Sequence, residues 1–450
     1  MPLDSLDFDP GLVAEKLRPL AGQPLVLGLS GGGDSLALLL IAAEWAKRSN
    51  TPLVPVIIDH GLRADSADDA RFAADQADRA GFPARIVCWS GDKPQTGIQA
   101  AARQFRLHTF TAIAAQLGAQ TVLLGHTQDD QAETLWMRLQ SGGDGDALSV
   151  MGERSPLPLW PDGRGISLMR PLLDARRARL RQWLVSKRQS WLDDPSNENA
   201  AFTRVRNRQT LMRLEDEGFD IDRLAGLADA LRSERLQKQR RAGQIFQQSA
   251  TLQPWGGVHL QRHQILSAPS DIGEYVIDAA RAAVSGDPAP RRDSAQRLRA
   301  ALAAQNPATV AGVALTRHTE DWFLVRDPGA VTGRADNSAQ LDLRKRVADN
   351  LIWDGRLAVR DVNTDITLLG KAYPAGLSSS DLDHVPAIAR PGLPLLHDAR
   401  GGFSVPGLTI GSGKDGRWLA DELVCRNLFG DQPPAGFRTQ LREQTAQGSH

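Results

Sequence analysis

Three groups of residues in this chain could do chemistry. The first is Ser30-Gly31-Gly32-Gly33-Asp34-Ser35, set between the apolar runs Pro24–Leu29 and Leu36–Ala43. The first run reads as a buried parallel strand and the second as a buried helix. A strand, a glycine turn and a helix start gather backbone N–H groups and the positive helix end around one point, which favours phosphate. Glycine permits φ > 0 and lets an anion approach the backbone closely. A plain strand-to-helix turn is the competing reading of these residues. Asp34 argues against it: a carboxylate beside a phosphate makes sense if Mg²⁺ bridges the two or a substrate amine binds there.

The second group is Thr121-Val-Leu-Leu-Gly-His126-Thr-Gln-Asp129-Asp130-Gln-Ala-Glu133-Thr134. His126 ends an apolar run, and Asp130, Glu133 and Thr134 fall at i, i+3 and i+4, on one helix face. Two acids near a helix start can simply complement the helix dipole. Aimed at the crevice beside Asp34, they can instead bind Mg²⁺ or an incoming ammonium group. Arg103 and Arg106 lie one turn apart on the preceding helical stretch, as a solvated face or as phosphate ligands. The third group is basic. Between Arg170 and Arg213 stand eleven Lys/Arg and four acids (Asp174, Asp193, Asp194, Glu198), an excess of seven in a chain of zero net charge. That excess makes Arg176, Arg177, Arg181, Arg204, Arg206 and Arg208 candidate RNA-phosphate contacts, with Trp183 and Trp191 as stacking planes. A solvated helix face with ordinary core tryptophans is the alternative.

The glycine loop is neither of two familiar nucleotide loops. A Walker A loop needs a lysine that is absent here, and the glycine spacing does not fit a Rossmann fingerprint. S-G-G-x-D-S is instead the signature of the PP-loop ATP pyrophosphatases, which this stretch resembles. The resemblance implies cleavage of ATP between its α- and β-phosphates, with the loop holding the departing pyrophosphate.

The elements that must position these groups alternate through the first half. Strands are expected at Leu25–Leu29, Leu53–Ile58, Arg85–Trp89, Thr121–Gly125 and Ile166–Arg170. Helices are expected near Leu36–Arg48, Ser66–Ala80, Gly97–Leu117 and Gln128–Gln140. Such alternation predicts an α/β fold with a doubly wound, parallel five-stranded sheet and a ligand crevice at the carboxyl ends of its strands. Ser30–Ser35, Asp59-His60 and His126 all follow expected strands. Residues 215 to 245 read as one long polar helix, and 258 to 335 as helices with short strands. Beyond 338, Pro/Gly-rich stretches alternate as short β-strands. The expected domains are 1–215, 216–337 (mainly helical) and 338–447 (small, α+β). The two cysteines, Cys88 and Cys425, are far apart, which argues for a reducing compartment and against a disulfide framework. The start lacks the character of a signal peptide, and no run is long enough to span a bilayer. A cytoplasmic, membrane-free protein is expected.

Taken together the motifs resemble the tRNA(Ile)-lysidine synthetases. Ser30–Ser35, Asp59-His60-Gly61-Leu62-Arg63, Ala102-Arg103-Gln-Phe-Arg106, His126-x-x-Asp129-Asp130-Gln-Ala-Glu133-Thr134, Arg170-Pro-Leu-Leu173 and Asp194-Pro-Ser-Asn197 occur in that family's order. Val385-Pro-Ala-Ile-Ala-Arg390 and Val405-Pro-Gly407 resemble its C-terminal module more weakly. The resemblance implies a carbon–nitrogen ligase of the cytoplasm. ATP would adenylate the C2 oxygen of the wobble cytidine of an isoleucine tRNA with a CAU anticodon, and the ε-amine of free L-lysine would displace AMP. It implies roles for Asp34, Asp130 and Glu133 in lysine recognition and amine activation, and for Arg103 and His126 near the reacting centre. Ser30–Ser35, Asp59 and His60 would hold ATP, and Asp34 and Asp130 would hold Mg²⁺. The sequence leaves the oligomeric state open, with a homodimer as one candidate, and residues 338–447 are expected to grip the acceptor stem and elbow of the tRNA. Three positions depart from the family: Leu107 stands where a tyrosine is frequent, Thr127 where there is a second histidine, and Arg204-Val205 where Arg-Asn is common. The alternatives are a PP-loop tRNA thiolase, for which the cysteines lack partners, or another ATP-dependent RNA-modifying enzyme. A glutamine amidotransferase would need a nucleophilic cysteine this chain lacks.

Overall fold

Short runs of β-branched and leucine residues in the first half form strands because helices cover the sheet on both faces. In the computed structural model the described residues are 8–447, apart from 144, 194–202, 333–342, 348–349, 399, 409, 411–415 and 431. The Asp194–Asn197 motif therefore lies outside the described residues. The chain divides into two compact units, residues 1–159 with 163–235, and residues 160–162 with 236–450.

The first unit runs α1 (Pro10–Leu17), β1 (Leu25–Gly28), α2 (Gly33–Ser49), β2 (Leu53–Asp59), α3 (Ser66–Arg79), β3 (Arg85–Cys88), α4 (Ile98–Leu117), β4 (Thr121–Leu123) and α5 (Gln128–Gln140). It continues with β5 (Arg154–Pro156), β6 (Ser167–Met169), α6 (Arg177–Ser186), α7 (Thr203–Asp216) and the start of α8 (Ile221–Ser249). The strand order is β3-β2-β1-β4-β6-β5. Five strands are parallel, as expected, and β5 adds an antiparallel edge. Pro156 can sit in β5 because an edge strand tolerates a missing donor. The order reverses between β1 and β4, so the crevice of the fold opens at their carboxyl ends.

α2 is the helix that anchors this crevice. Its N-terminal residues after the glycine loop, Leu36, Ala37, Leu38 and Leu39, are fully buried between β1 and the flanking helices. Each buried leucine contributes about 1.5–3 kcal/mol relative to exposure. The loop therefore stands on a rigid base. The long polar helix expected over 215–245 is α8, Ile221–Ser249, which starts six residues later than expected because α7 ends at Asp216. Gly218 has φ of 94° and ends α7, with Phe219 N–H bonded to the Leu214 carbonyl, and Asp220 accepts from Arg223 N–H to start α8.

The second unit continues from α8 through β7 (Ala250–Leu252), β8 (Val258–Leu260), α9 (Arg262–Ser267), α10 (Ser270–Ser285), α11 (Arg292–Ala303), β9 (Ala308–Val310), β10 (Val313–His318) and β11 (Asp321–Arg326). These strands form a five-stranded antiparallel sheet, β7-β8-β11-β10-β9. α10 is buried on nearly all sides, with Val276, Ile277, Ala279, Ala280 and Ala283 in one core with Leu298, Leu315 and Val424. After α12 (Pro328–Thr332) come β12 (Arg344–Val347), β13 (Asn350–Trp353), β14 (Leu357–Val359), β15 (Asp365–Leu368), β16 (Pro394–His397), β17 (Phe403–Ser404), β18 (Gly416–Trp418), α13 (Ala420–Phe429) and α14 (Phe437–Gln447). The strands make two small sheets, β12-β13-β14-β18 and β15-β16-β17. The Val385–Arg390 motif is a turn closed by its own arginine, whose Nε donates to the Val385 carbonyl at 3.0 Å. Both cysteines are free: Cys88 is exposed, and burial pushes the Cys425 thiol up to about 12, with Asp421 adding to the shift. Among the described residues no helix is long and apolar enough to cross a membrane.

Candidate active site

A cleft of about 520 Å³ opens where the strand order reverses. Its floor is the glycine loop. Among the described residues no side chain caps α2, so the N–H groups of its first turn stay available to an anion. The loop is held from within: Ser35 Oγ donates to the Gly32 carbonyl at 3.0 Å and accepts from Ser30 N–H at 3.2 Å. Gly31 sits at φ 81°, and a Cβ there would lie 2.7 Å from Leu192 Cδ1. Leu192 itself ties the loop to the chain after α6, its N–H bonding the Gly31 carbonyl at 3.0 Å.

One wall carries carboxylates. Asp34 stands on the first turn of α2, and Asp130 and Glu133 on the first turns of α5. One Asp130 oxygen accepts from Thr127 N–H at 2.8 Å and from the Thr127 hydroxyl at 3.1 Å. Thr127, the departure from the family's second histidine, thus caps α5 and orients the acid. Burial works to raise the Asp130 carboxyl, but Arg177, Arg204, His126 and the Thr127 N–H together hold it below the usual range. Asp34 goes the other way. Its burial outweighs the nearby Arg177 guanidinium and raises its pKa. Its Oδ1 is buried and has no hydrogen-bond partner among the described residues.

The cleft also carries cations, with Arg103 and Arg106 of α4 in its lining. Desolvation of its head group lowers the Arg106 pKa, and Arg103 and Arg204 lower it further. Such cations demand an anion. His60 and His126 also line the cleft. Burial pushes His126 down to about 4; Asp130 opposes the shift, while Arg170, Arg204 and Arg106 reinforce it. The imidazole is neutral at pH 7, with one ring nitrogen a hydrogen-bond acceptor and the other a donor. Because the unfolded chain binds that proton below about 6.5 and the folded chain only below about 4, stability should fall as pH drops through this window. The limit is about 3 kcal/mol. In urea unfolding at pH 7 and pH 4.5, His126→Asn should lose less stability than the parent. Equal losses would mean that the ring is not buried neutral.

The sequence candidates divide on this geometry. Ser30, Gly32, Gly33, Asp34, Ser35, His60, Arg103, His126 and Asp130 line the cleft together. Glu133 lies behind it, only 3% of its side chain exposed, and meets the site through arginines. Asp59 does not line the cleft; its Oδ1 accepts from Gly61 N–H at 2.8 Å and shapes the turn after β2. Of the six arginines expected on RNA, Arg177, Arg204 and Arg208 point into the cleft and bind the acids. Arg176 pairs with Asp129, Glu215 and Asp222, and Arg181, also in the cleft lining, with Asp193. Arg206 is exposed and bonds the Thr203 hydroxyl at 3.0 Å. Trp183 and Trp191 pack against the core under α2. Leu107 and Val205, the other two departures, are core residues at 5% and 8% exposure. Sequence reading passed over Gly125, Phe110 and Leu192; Gly125 had a signal, a glycine between two apolar residues and a histidine at a strand end.

The comparisons bear on this cleft. Residues 12–215 match the PP-loop domain family. A tRNA(Ile)-lysidine synthase of Caulobacter vibrioides is 31% identical over 388 residues, 85% of this chain and 86% of that protein. The chain belongs to the tRNA(Ile)-lysidine synthase family. Another family member, from Rhodopseudomonas palustris, is 43% identical over 210 residues, 46% of this chain and 59% of that protein. Among solved structures, a U34-tRNA thiolase of Methanococcus maripaludis with its [4Fe-4S] cluster aligns at 18% identity and a TM-score of 0.43, covering 50% of this chain and 78% of that one.

Proposed function

We propose that this chain is a ligase that activates an isoleucine tRNA with ATP and joins L-lysine to its wobble cytidine, forming lysidine. The observation that carries the reading is the junction of an uncapped glycine loop with three carboxylates from two helices, Asp34, Asp130 and Glu133. Phosphate binding alone has no use for acids at that point. A reaction that brings a phosphate and an amine together does.

In the first step the cytidine C2 oxygen attacks the α-phosphorus of ATP, and the bond to the β-phosphate oxygen breaks. The loop N–H groups stabilise the departing pyrophosphate, and Arg103 and Arg106 face the charge that develops on the phosphates. In the second step the lysine ε-nitrogen attacks C2 and the C2–O bond breaks, releasing AMP. The amine must first be held and shed a proton. Asp130 and Glu133 suit the holding, and neutral His126, in the cleft lining, can accept a hydrogen bond from the amine. Mg²⁺ would supply charge neutralisation on the phosphates. Asp34 fits it through the unpartnered Oδ1, whereas both oxygens of Asp130 already accept hydrogen bonds. Among the described residues no group of three or more His, Cys, Asp or Glu forms a cation cage. Mg²⁺ at nucleotide sites needs only one or two carboxylates, with phosphates and water as its other ligands.

The test is incubation with ATP, Mg²⁺, labelled lysine and isoleucine tRNA bearing CAU. Label should enter the RNA with one AMP and one pyrophosphate released per lysine. Release of ADP, or RNA that stays unlabelled, would refute the reading.

A further inference from the structure

Every oxygen that could receive the lysine ammonium on Asp130 and Glu133 is already taken by the chain itself. Glu133 Oε1 accepts from Arg208 Nε at 2.6 Å and Arg177 Nη1 at 3.3 Å, and its Oε2 accepts from Arg204 Nε at 2.9 Å. Asp130 Oδ1 accepts from Arg204 Nη2 at 2.8 Å and Arg177 Nη2 at 3.3 Å, and Oδ2 is spent on Thr127. Among the described residues three carboxylates, Asp34, Asp130 and Glu133, face three guanidinium groups, so their charges balance. An added ammonium would find no free acceptor there and would leave a net charge in a poorly hydrated place.

The three arginines are not equivalent. Arg177 begins α6, its side chain touches all three acids, and its N–H bonds Asp129 Oδ2 at 2.7 Å. It is locked at 17% side-chain exposure. Arg204 is 46% exposed and bridges Asp130 and Glu133 with two short bonds from one guanidinium. It can leave toward water without burying its charge elsewhere. Arg208, one turn along the same face of α7, reaches Glu133 alone.

We propose that Arg204 occupies the ammonium subsite as a built-in stand-in for the substrate amine, and that lysine and Arg204 compete for Asp130 and Glu133. This rests on the reading of the site given above. Arg177 is then the positioning residue that keeps the acids together throughout. Arg204, once displaced, becomes a free cation at the mouth of a phosphate cleft. Any anion that draws it away, pyrophosphate or an RNA phosphate, should strengthen lysine binding, and lysine should strengthen anion binding by the same factor.

The apparent affinity for an amine is reduced by the fraction of molecules whose acids are open. If that fraction is about one in ten, removing the competitor should tighten lysine binding about tenfold. The experiment is calorimetric titration of L-lysine into the full chain without nucleotide or RNA, comparing the parent with Arg204→Gln and Arg204→Lys. Arg204→Gln should bind lysine several-fold more tightly, and Arg204→Lys, which still supplies a cation, should bind like the parent. Unchanged or weaker binding by Arg204→Gln overturns the proposal. If that variant does not fold, Arg208→Gln relieves the same Glu133 oxygens and should shift lysine binding in the same direction. The two readings fail separately. Lysine transfer by the parent together with unaltered lysine affinity in the variants removes only the stand-in role, whereas absence of lysine transfer removes the function itself.

Discussion

Asp34→Asn is expected to lower lysine transfer by about 10²–10³-fold, the range lost when a preorganised charge is removed from a reacting centre. The substitution keeps the shape of the side chain. An asparagine oxygen can still accept the 2.9 Å bond from Arg177 Nε. What disappears is the negative charge and the acceptor at Oδ1, the buried atom without a partner. The fold should not suffer. Burial raises the folded-state pKa of Asp34, so the stability linked to its protonated form is full below the unfolded value and is lost as pH rises through the raised one. At neutral pH burial of the ionised group therefore opposes folding, an opposition the uncharged isostere removes, while loss of its charge leaves Arg177, Arg204 and Arg208 facing only two carboxylates. The two effects oppose each other, so the thermal midpoint of Asp34→Asn should stay close to that of the parent while kcat collapses. A variant that loses stability and activity together would show that Asp34 is structural.

That Asp34 stands in the anion loop was readable from the sequence, because a carboxylate in a phosphate loop is anomalous on its face. The strands that place it were readable too. Leu25–Gly28, Leu53–Asp59 and Thr121–Leu123 are apolar runs bounded by turn residues, and helices on both faces bury them. β5 was not readable: three residues containing a proline carry no period. The acid partners of the basic stretch were not readable for a different reason. A local charge count sees Arg177, Arg204 and Arg208 without the acids that balance them, which lie 44 to 143 positions earlier and meet them only in the fold. The sequence announces cations; tertiary structure decides whether they face RNA or the chain's own carboxylates. Trp183 and Trp191 illustrate the same limit, since aromatic residues near a basic run can serve a core as well as a stacking plane.

The second large effect is expected at Gly125, whose importance is steric. It follows β4, and a Cβ there would lie 3.0 Å from the Asp34 carbonyl oxygen, 3.0 Å from Ser35 Cα and 3.1 Å from the Asp34 carbonyl carbon. All three are backbone atoms of the first turn of α2, so no side chain can rotate away. Leu36 to Leu39 hold the rest of α2 in the core, and relief can come only by moving the loop or the end of β4. Either displaces Asp34 relative to His126. A misplacement near 1 Å can cost about 10²-fold in catalysis. Gly125→Ala should therefore lower kcat/KM for ATP by roughly that factor, and overpacking should destabilise the fold by about 1–3 kcal/mol. Gly226 is the internal control. It lies within α8, and a Cβ there meets nothing within 4 Å. Gly226→Ala should leave ATP kinetics unchanged and stabilise the helix by up to about 1 kcal/mol. Measured side by side, the two alanines separate a contact that seats the nucleotide loop from a general sensitivity to losing glycine. Equal kinetics in both would mean that the junction of β4 and α2 does not set the geometry of the cleft.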